Sequence, residues 1–422
     1  MFTMTRAARR AMLLAATAAA GSLLLAGCSS TDTTPTPGGG VSIDTSVAYT
    51  PEAAQSQLDL AYIKPGSVKL GDLPQEVQDA LGRSSVELTA AQKQKALDCW
   101  KQPSCDWGDG PVHLGIFNAV DNLWQTTAVM DVLLQAATYP EVGQVSYSFV
   151  SDLPSAQAAV RSMVADGANL IIGYNAFGAA MAPAFSDAQA AGAKVVTYTG
   201  ETPGVDAAII NNQVVFEVQE WGKQVADMLT HDLGLSTSDD IAFFFGTPGN
   251  PQDTLIHDAL QAQLQANGGP KIAFTQDTDW TRPGVAAAAT ALIASGIDAK
   301  AVVNSYDDPI PQLITAYDQA GLAVPTIVSW TELNDLFGTW ESRLGTPKQF
   351  DLYYTTALVW TARVALSDGM KLLAGENVPA RTGVPLPIVK ADKGIYEPTL
   401  PGDFPGWSAL IPEDVMNGML NR

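Results

Sequence analysis

Asn118, Asp121, Asn122 and Trp124 follow closely on the apolar run Val112–Phe117, and the same company of amide, carboxylate and indole recurs along the chain. Asn175, Glu201, Asn212 and Asn250 each come after a further apolar run, as do Trp280, Arg282, Asp307, Trp330 and Glu332. Carboxylates and amides make hydrogen bonds to hydroxyls in fixed directions, and an indole offers a flat apolar face. A sugar or polyol needs that combination: stacking on its C–H faces and paired polar contacts at its rim. Each residue alone has a plainer reading. Asn and Asp favour turns and helix caps, and a tryptophan is often simply buried.

Catalytic chemistry has no comparable support. His113, His231 and His257 fall far apart in a strand and two helices, with no motif around them. No Gly-x-Ser-x-Gly elbow, phosphate loop or His-Glu-x-x-His occurs, so the sequence implies no enzyme, metal or cofactor. Gly246-Thr-Pro-Gly249 lacks the third glycine of a dinucleotide fingerprint and reads as a tight turn. Carboxylate pairs such as Asp307-Asp308 are common, so counting them leaves a secreted glycosidase as a remote alternative.

The elements that position these residues alternate between short apolar strands and amphipathic helices from Pro111 to Leu333. That order predicts an α/β fold, a parallel sheet covered on both faces by helices, with ligands at the carboxyl ends of its strands. A strand is expected at Ala207–Ile210. The helix after Asn212 is expected to bury Val214, Val218, Trp221, Val225 and Met228. Ile241–Phe245 opens a second set of the same kind, and the chain crosses back to the first near Asp351–Leu358.

The chain has 422 residues and a formal charge of −21, enough for two domains and too acidic to favour a nucleic-acid partner. Arg6, Arg9 and Arg10, the apolar run Ala11–Leu25 and Leu25-Ala-Gly-Cys28 read as a signal peptide over residues 1–27. Cys28 is then acylated and becomes the mature N-terminus. The apolar run falls short of the ~20 residues that span a bilayer. Residues 28–49, rich in Ser, Thr, Pro and Gly, form the flexible tether. Residues 50–110 read as a helical extension. Outside the cytoplasm, Cys99 and Cys105 are most simply a disulfide, and the lack of a nearby His weakens the rival metal site.

The lipobox, the two αβ sets, Asp121-Asn-Leu-Trp124, Gly246-Thr-Pro-Gly-Asn-Pro251, Asp279-Trp-Thr-Arg282 and Gly375-Glu-Asn-Val-Pro379 resemble the substrate-binding lipoproteins of ABC importers. The match is to the type 1 periplasmic-binding-protein fold, on its ribose-binding side, over about residues 111–400. The resemblance implies two doubly wound, Rossmann-like lobes joined by a hinge. Residues 111–212 with 357–385 form the first lobe, and 213–356 with the tail 386–422 the second. It implies a non-enzymatic receptor that closes on a small polar ligand, most simply a carbohydrate, and delivers it to a membrane permease. A receptor for a nucleoside or other small metabolite and a ligand sensor without transport are the alternatives. Asp253 joins the implied site through the Asn250–Thr254 region. Thr199-Gly200-Glu201 and Asp253-Thr254 stand where ribose binders carry arginines.

Overall fold

The computed structural model describes residues 42–63, 66–118, 123–306, 308–330, 333–356, 358–398, 400, 402 and 409–420. Cys28, Asp121, Asn122, Asp307 and Glu332 lie outside them. Among the described residues no helix is long and apolar enough to cross a membrane.

The first sheet begins with β1 (Ser104–Asp106), β2 (Val112–Asn118), β3 (Val142–Phe149), β4 (Leu170–Tyr174), β5 (Lys194–Thr199) and β6 (Asn212–Phe216). The second holds β7 (Asp240–Phe245), β8 (Lys271–Asp277), β9 (Ala299–Asn304), β10 (Thr326–Trp330) and β11 (Leu352–Thr355). The chain then returns to lay β12 (Arg381–Val384) beside β6, and crosses again to lay β13 (Val389–Lys390) beside β11. The orders are β1-β3-β2-β4-β5-β6-β12 and β13-β11-β10-β9-β7-β8, parallel except for β1 and β13. Every residue of β2 is buried, as a central parallel strand with helices on both faces requires.

Three crossovers join the lobes. They run from Phe216 to Val218, from Thr355 to Thr361 and from Val384 to Val389. The first departs from expectation. Ala207–Ile210 is a turn, and the strand is Asn212–Phe216, whose continuous apolar run Val214-Val215-Phe216 is buried and paired on both sides by β5 and β12. The helix therefore starts at Val218 and buries Val218, Trp221, Val225 and Ala226. The tail divides: β13 and Tyr396 join the second lobe, while the last helix, Glu413–Met419, lies on the extension helix Ala90–Trp100, where Leu97 fills the space beside Gly418.

Residues 42–110 form three helices and β1, with Cys99 and Cys105 joined in a disulfide. They dress the first lobe. Arg83 stacks 3.8 Å over the Tyr139 ring and donates to Thr138 O, and Gln92 Nε2 donates to Ala137 O at 2.6 Å.

The helix Thr361–Leu373 packs on the first sheet and carries Asp368, fully buried. Thr382 Oγ1 donates to Asp368 Oδ2 at 3.2 Å, and burial pushes this carboxyl up to about 8. The folded state therefore keeps a proton that the unfolded chain releases near pH 4. Its stability contribution is fully present below that pH and is lost as pH rises through 8. Asp368→Asn cannot titrate, so between pH 5 and 8 the variant should gain on the parent by about 1 kcal/mol per pH unit, measured by urea unfolding. A constant difference would mean that Asp368 is ionised in the fold.

Candidate functional site

A parallel strand releases its chain at its carboxyl end into a loop and the N-terminus of a helix, so polar groups collect there. Both sheets turn those ends toward a shared cleft. Tyr174, Asn175, Thr199 and Glu201 come from the ends of β4 and β5. Phe216 and Glu217 come from the first crossover, Arg381 from β12, and Asn250 and Gln252 from the second lobe.

Two polar atoms in this cleft have no partner among the described residues. Asn175 is 7% exposed. Its Nδ2 donates to Gly178 O and to Thr202 Oγ1, both at 3.0 Å, while its Oδ1 accepts nothing. Thr199 is 6% exposed, and its Oγ1 is likewise unpartnered. Its backbone sits at φ 79°, a left-handed conformation that a β-branched residue adopts only where the surroundings force it. A buried polar atom without a partner costs about 1–3 kcal/mol, so this pair is ready for a ligand that hydrogen-bonds.

Charge in the cleft is organised around Arg381. Its Nη1 and Nη2 donate to the two Glu217 carboxylate oxygens at 2.8 and 2.9 Å, and its Nε donates to Glu201 Oε2 at 3.1 Å. The Glu217 hydrogen bonds, then that of Glu201, raise the Arg381 pKa further. An arginine thus reaches the loop after β5 from another strand, where the local sequence Thr199-Gly200-Glu201 has none. The cluster carries one negative charge in excess.

Beside the cavity lie aromatic rings from both lobes. Trp124 sits edge-on to Tyr174 with centroids 5.9 Å apart, and 6.4 Å from Tyr198. Trp330, at the end of β10, meets Phe216 at 5.6 Å and Trp221 at 5.8 Å, both edge-on. Burial, then the charge of Asp253 on the facing lobe, pushes the Tyr174 hydroxyl up to about 12.

The residues singled out in the sequence divide into several groups. Asn175, Glu201 and Asn250 line the cleft, although Asn250 Oδ1 already caps its helix by accepting from Gln252 N and Asp253 N. Asn118 is fully buried as a brace. Its Oδ1 accepts from Tyr198 OH at 2.5 Å and Tyr174 N, and its Nδ2 donates to Gln125 O. Asn212 opens β6 at the edge away from the cleft and donates to Pro379 O and Thr382 Oγ1, which corrects its placement at a strand end. In the second lobe, Asp253 Oδ2 accepts from Gly246 N and Oδ1 from Ser305 Oγ, both at 2.6 Å, and burial pushes its carboxyl up to about 6. Trp280 Nε1 donates to the same Ser305 Oγ at 3.0 Å, and its ring occupies the space that a Cβ on Gly246 would need. Arg282 pairs with Asp308 at 2.8 Å. Tyr174, Thr199, Phe216 and Arg381 escape a search for strand-end amides, acids and indoles, and Glu217 is missed because the spacing predicts a helix over β6. Only the pairing of β12 on β6 brings Arg381 and Glu217 together.

Two parallel-sheet lobes, three crossovers and a polar cleft between strand ends define a two-lobed solute receptor. A family profile described as a periplasmic binding protein domain matches residues 116–337, over half of the chain, and the chain belongs to that family, whose members work outside the cytoplasm. No curated protein matches it in sequence. Among solved structures, its fold is similar to that of a periplasmic solute-binding protein of an ABC transporter from Actinobacillus succinogenes with bound D-allose. There the TM-score is 0.56 and the identity 16%, covering 67% of this chain and 98% of that one. The arabinose-transporter binding protein of a Shewanella species, bound to L-arabinofuranose, aligns with TM-score 0.58 and 17% identity over 66% and 92% of the two chains. A Bacillus halodurans ABC-transporter solute-binding protein with bound myo-inositol gives 0.58 and 15%, over 67% and 96%.

Arg381→Ala should leave the fold intact. Half-exposed ion pairs contribute about 0–1 kcal/mol, so the denaturation midpoint should barely move. Hydrogen exchange at residues 199–202 and 216–218 should accelerate in the variant. Unchanged exchange there would show that the loops are held without the arginine.

Proposed function

We propose that the protein is a lipid-anchored extracytoplasmic receptor that captures a small, uncharged polyhydroxylated ligand, of the carbohydrate class, and delivers it to an ABC permease. The observation that carries this reading is the pair of unpartnered buried atoms, Asn175 Oδ1 and Thr199 Oγ1, in one cleft. The first accepts from a hydroxyl, and the second both donates and accepts, which suits neighbouring hydroxyls of a ring. Arg381 is already shared by Glu217 and Glu201, so the cleft offers an anion no free cation among its described residues and disfavours phosphorylated or acidic sugars. The Tyr174 ring lines the cleft with Trp124 packed against it, an apolar surface that a sugar face can meet. The similar structures hold allose, arabinofuranose and inositol, which agrees with the class. Binding comes from lobe closure around the ligand, with no covalent step. Asp121, Asn122, Trp124, Trp280, Asp307 and Glu332 are proposed as further ligand contacts on the strength of their residue types.

A thermal-shift screen against monosaccharides, polyols, sugar phosphates and nucleosides tests the class. A ligand that binds only the native state raises the midpoint with concentration. One neutral sugar or polyol should do so, and Thr199→Ala should weaken it about two- to tenfold, the worth of one hydrogen bond. A shift with a nucleoside or a sugar phosphate alone would overturn the carbohydrate reading. The anchor has its own test. Cys28→Ala should move the protein from the membrane fraction to the soluble fraction of its native cell type, and continued pelleting with membranes would refute lipidation.

A further inference from the structure

The extension Pro51–Ile63 lies outside the part of the chain that matches the family, yet it ends on the hinge. The helix Pro51–Ala61 stops at Tyr62, which is 1% exposed. Tyr62 OH donates at 2.6 Å to Pro385 O, in the third crossover, and its ring stands edge-on to Trp360, in the second, with centroids 6.3 Å apart. One residue earlier, Ala61 O accepts from Thr356 Oγ1, also in the second crossover, at 2.9 Å. One residue later, Ile63 packs against the core of the second lobe, with its backbone at φ 63°.

The helix Pro51–Ala61 packs on the helix Gln75–Ser84, and that second helix is fixed to the first lobe: Asp79 pairs with Lys371 on the helix that follows the second crossover, and Arg83 lies over Tyr139. The segment is therefore a strut. It is rooted in one lobe, touches two of the three crossovers and ends on the other lobe. Crossovers are where backbone dihedrals change when lobes rotate. Leu358, fully buried in the second crossover, is already at φ 46°, in the same left-handed backbone region as Ile63. Rotation of the second lobe must carry Pro385 and Thr356 past a tyrosine whose own position is set by the first.

We infer that Tyr62 and Ile63 are positioning residues for lobe closure. They hold the hinge near the angle seen here and thereby set how much of the unliganded receptor is competent to bind. The inference rests on the reading that the lobes move about this hinge, and it needs no knowledge of the ligand. Whatever fixes the lobe angle of the free receptor sets the fraction of conformers competent to bind, and with it the apparent affinity.

The test measures the distance between the lobes in the ligand-free protein. Spin labels at Ser162→Cys in the first lobe and Ala287→Cys in the second, both exposed, report it by pulsed electron resonance in a Cys28→Ala background. Tyr62→Phe keeps the ring and removes only the hydrogen bond to Pro385, and Ile63→Ala removes the contact with the second lobe. Each variant should broaden the distribution and shift its mean to longer distance, with the two together exceeding either alone. Distributions that superimpose on the parent, whatever happens to the thermal midpoint, would overturn the inference and leave the extension a passive brace. A silent sugar screen combined with a shifted distribution would refute the carbohydrate reading and uphold the strut.

Discussion

The pairing of β12 on β6 settles where this chain bends. β6 feeds the first crossover and β12 the third, and the two strands run parallel from Arg381 opposite Gln213 to Val384 opposite Phe216. Glu217 N donates to Val384 O at 2.9 Å as the strands part, so two of the three connections leave the first lobe as a bonded pair. Below that point Asn212 ties its strand to Thr382, and above it Arg381 ties its strand to Glu217. A hinge of independent strands would let the lobes twist freely. A bonded pair permits bending in a preferred direction, and the cleft lies along it.

The same pairing decides the electrostatics. A strongly acidic chain that placed Glu201 and Glu217 together at a cleft mouth would push its own loops apart. Arg381 prevents that, and its two-pronged grip on Glu217 fixes orientation even though solvent screening keeps its energy small. The consequence for recognition follows from the geometry. With the guanidinium already shared, the hydrogen-bonding capacity left in the cleft belongs to neutral groups, Asn175 Oδ1 and Thr199 Oγ1 foremost.

How far the sequence foretells this depends on the range over which each feature is encoded. β2 and β7 are legible because strands buried on both faces read as continuous apolar runs. Asn250 is legible as a loop residue but serves equally as a helix cap, and only the structure shows that its oxygen does the latter. Asn212 is misplaced because Val214, Val218 and Trp221 satisfy a helical spacing by accident, while the apolar run Val214–Phe216 becomes a strand through pairing with β5 and β12 on either side. Arg381 and Tyr62 carry no local signal. Their roles arise from contacts with residues more than a hundred positions away, which no window along the chain contains.

The aromatic cluster under the cleft limits what closure can be. Phe216 leaves the first lobe, Trp330 ends a strand of the second, and Trp221 sits on the helix between them, all nearly inaccessible to solvent. Exposing large apolar side chains costs about 1.5–3 kcal/mol each, so separating the three would consume much of the roughly 8 kcal/mol that a micromolar ligand returns. The lobes must therefore pivot about these rings and keep them in contact. The aromatic cluster serves as the bearing of the hinge, β12 and β6 set the direction of its swing, and the unpartnered Asn175 Oδ1 and Thr199 Oγ1 stand at the strand ends of the first lobe where the proposed ligand would meet them. Small changes in lobe angle at the bearing then become larger displacements at the rim, so the polar groups of the second lobe can engage or release a ligand without the core ever opening.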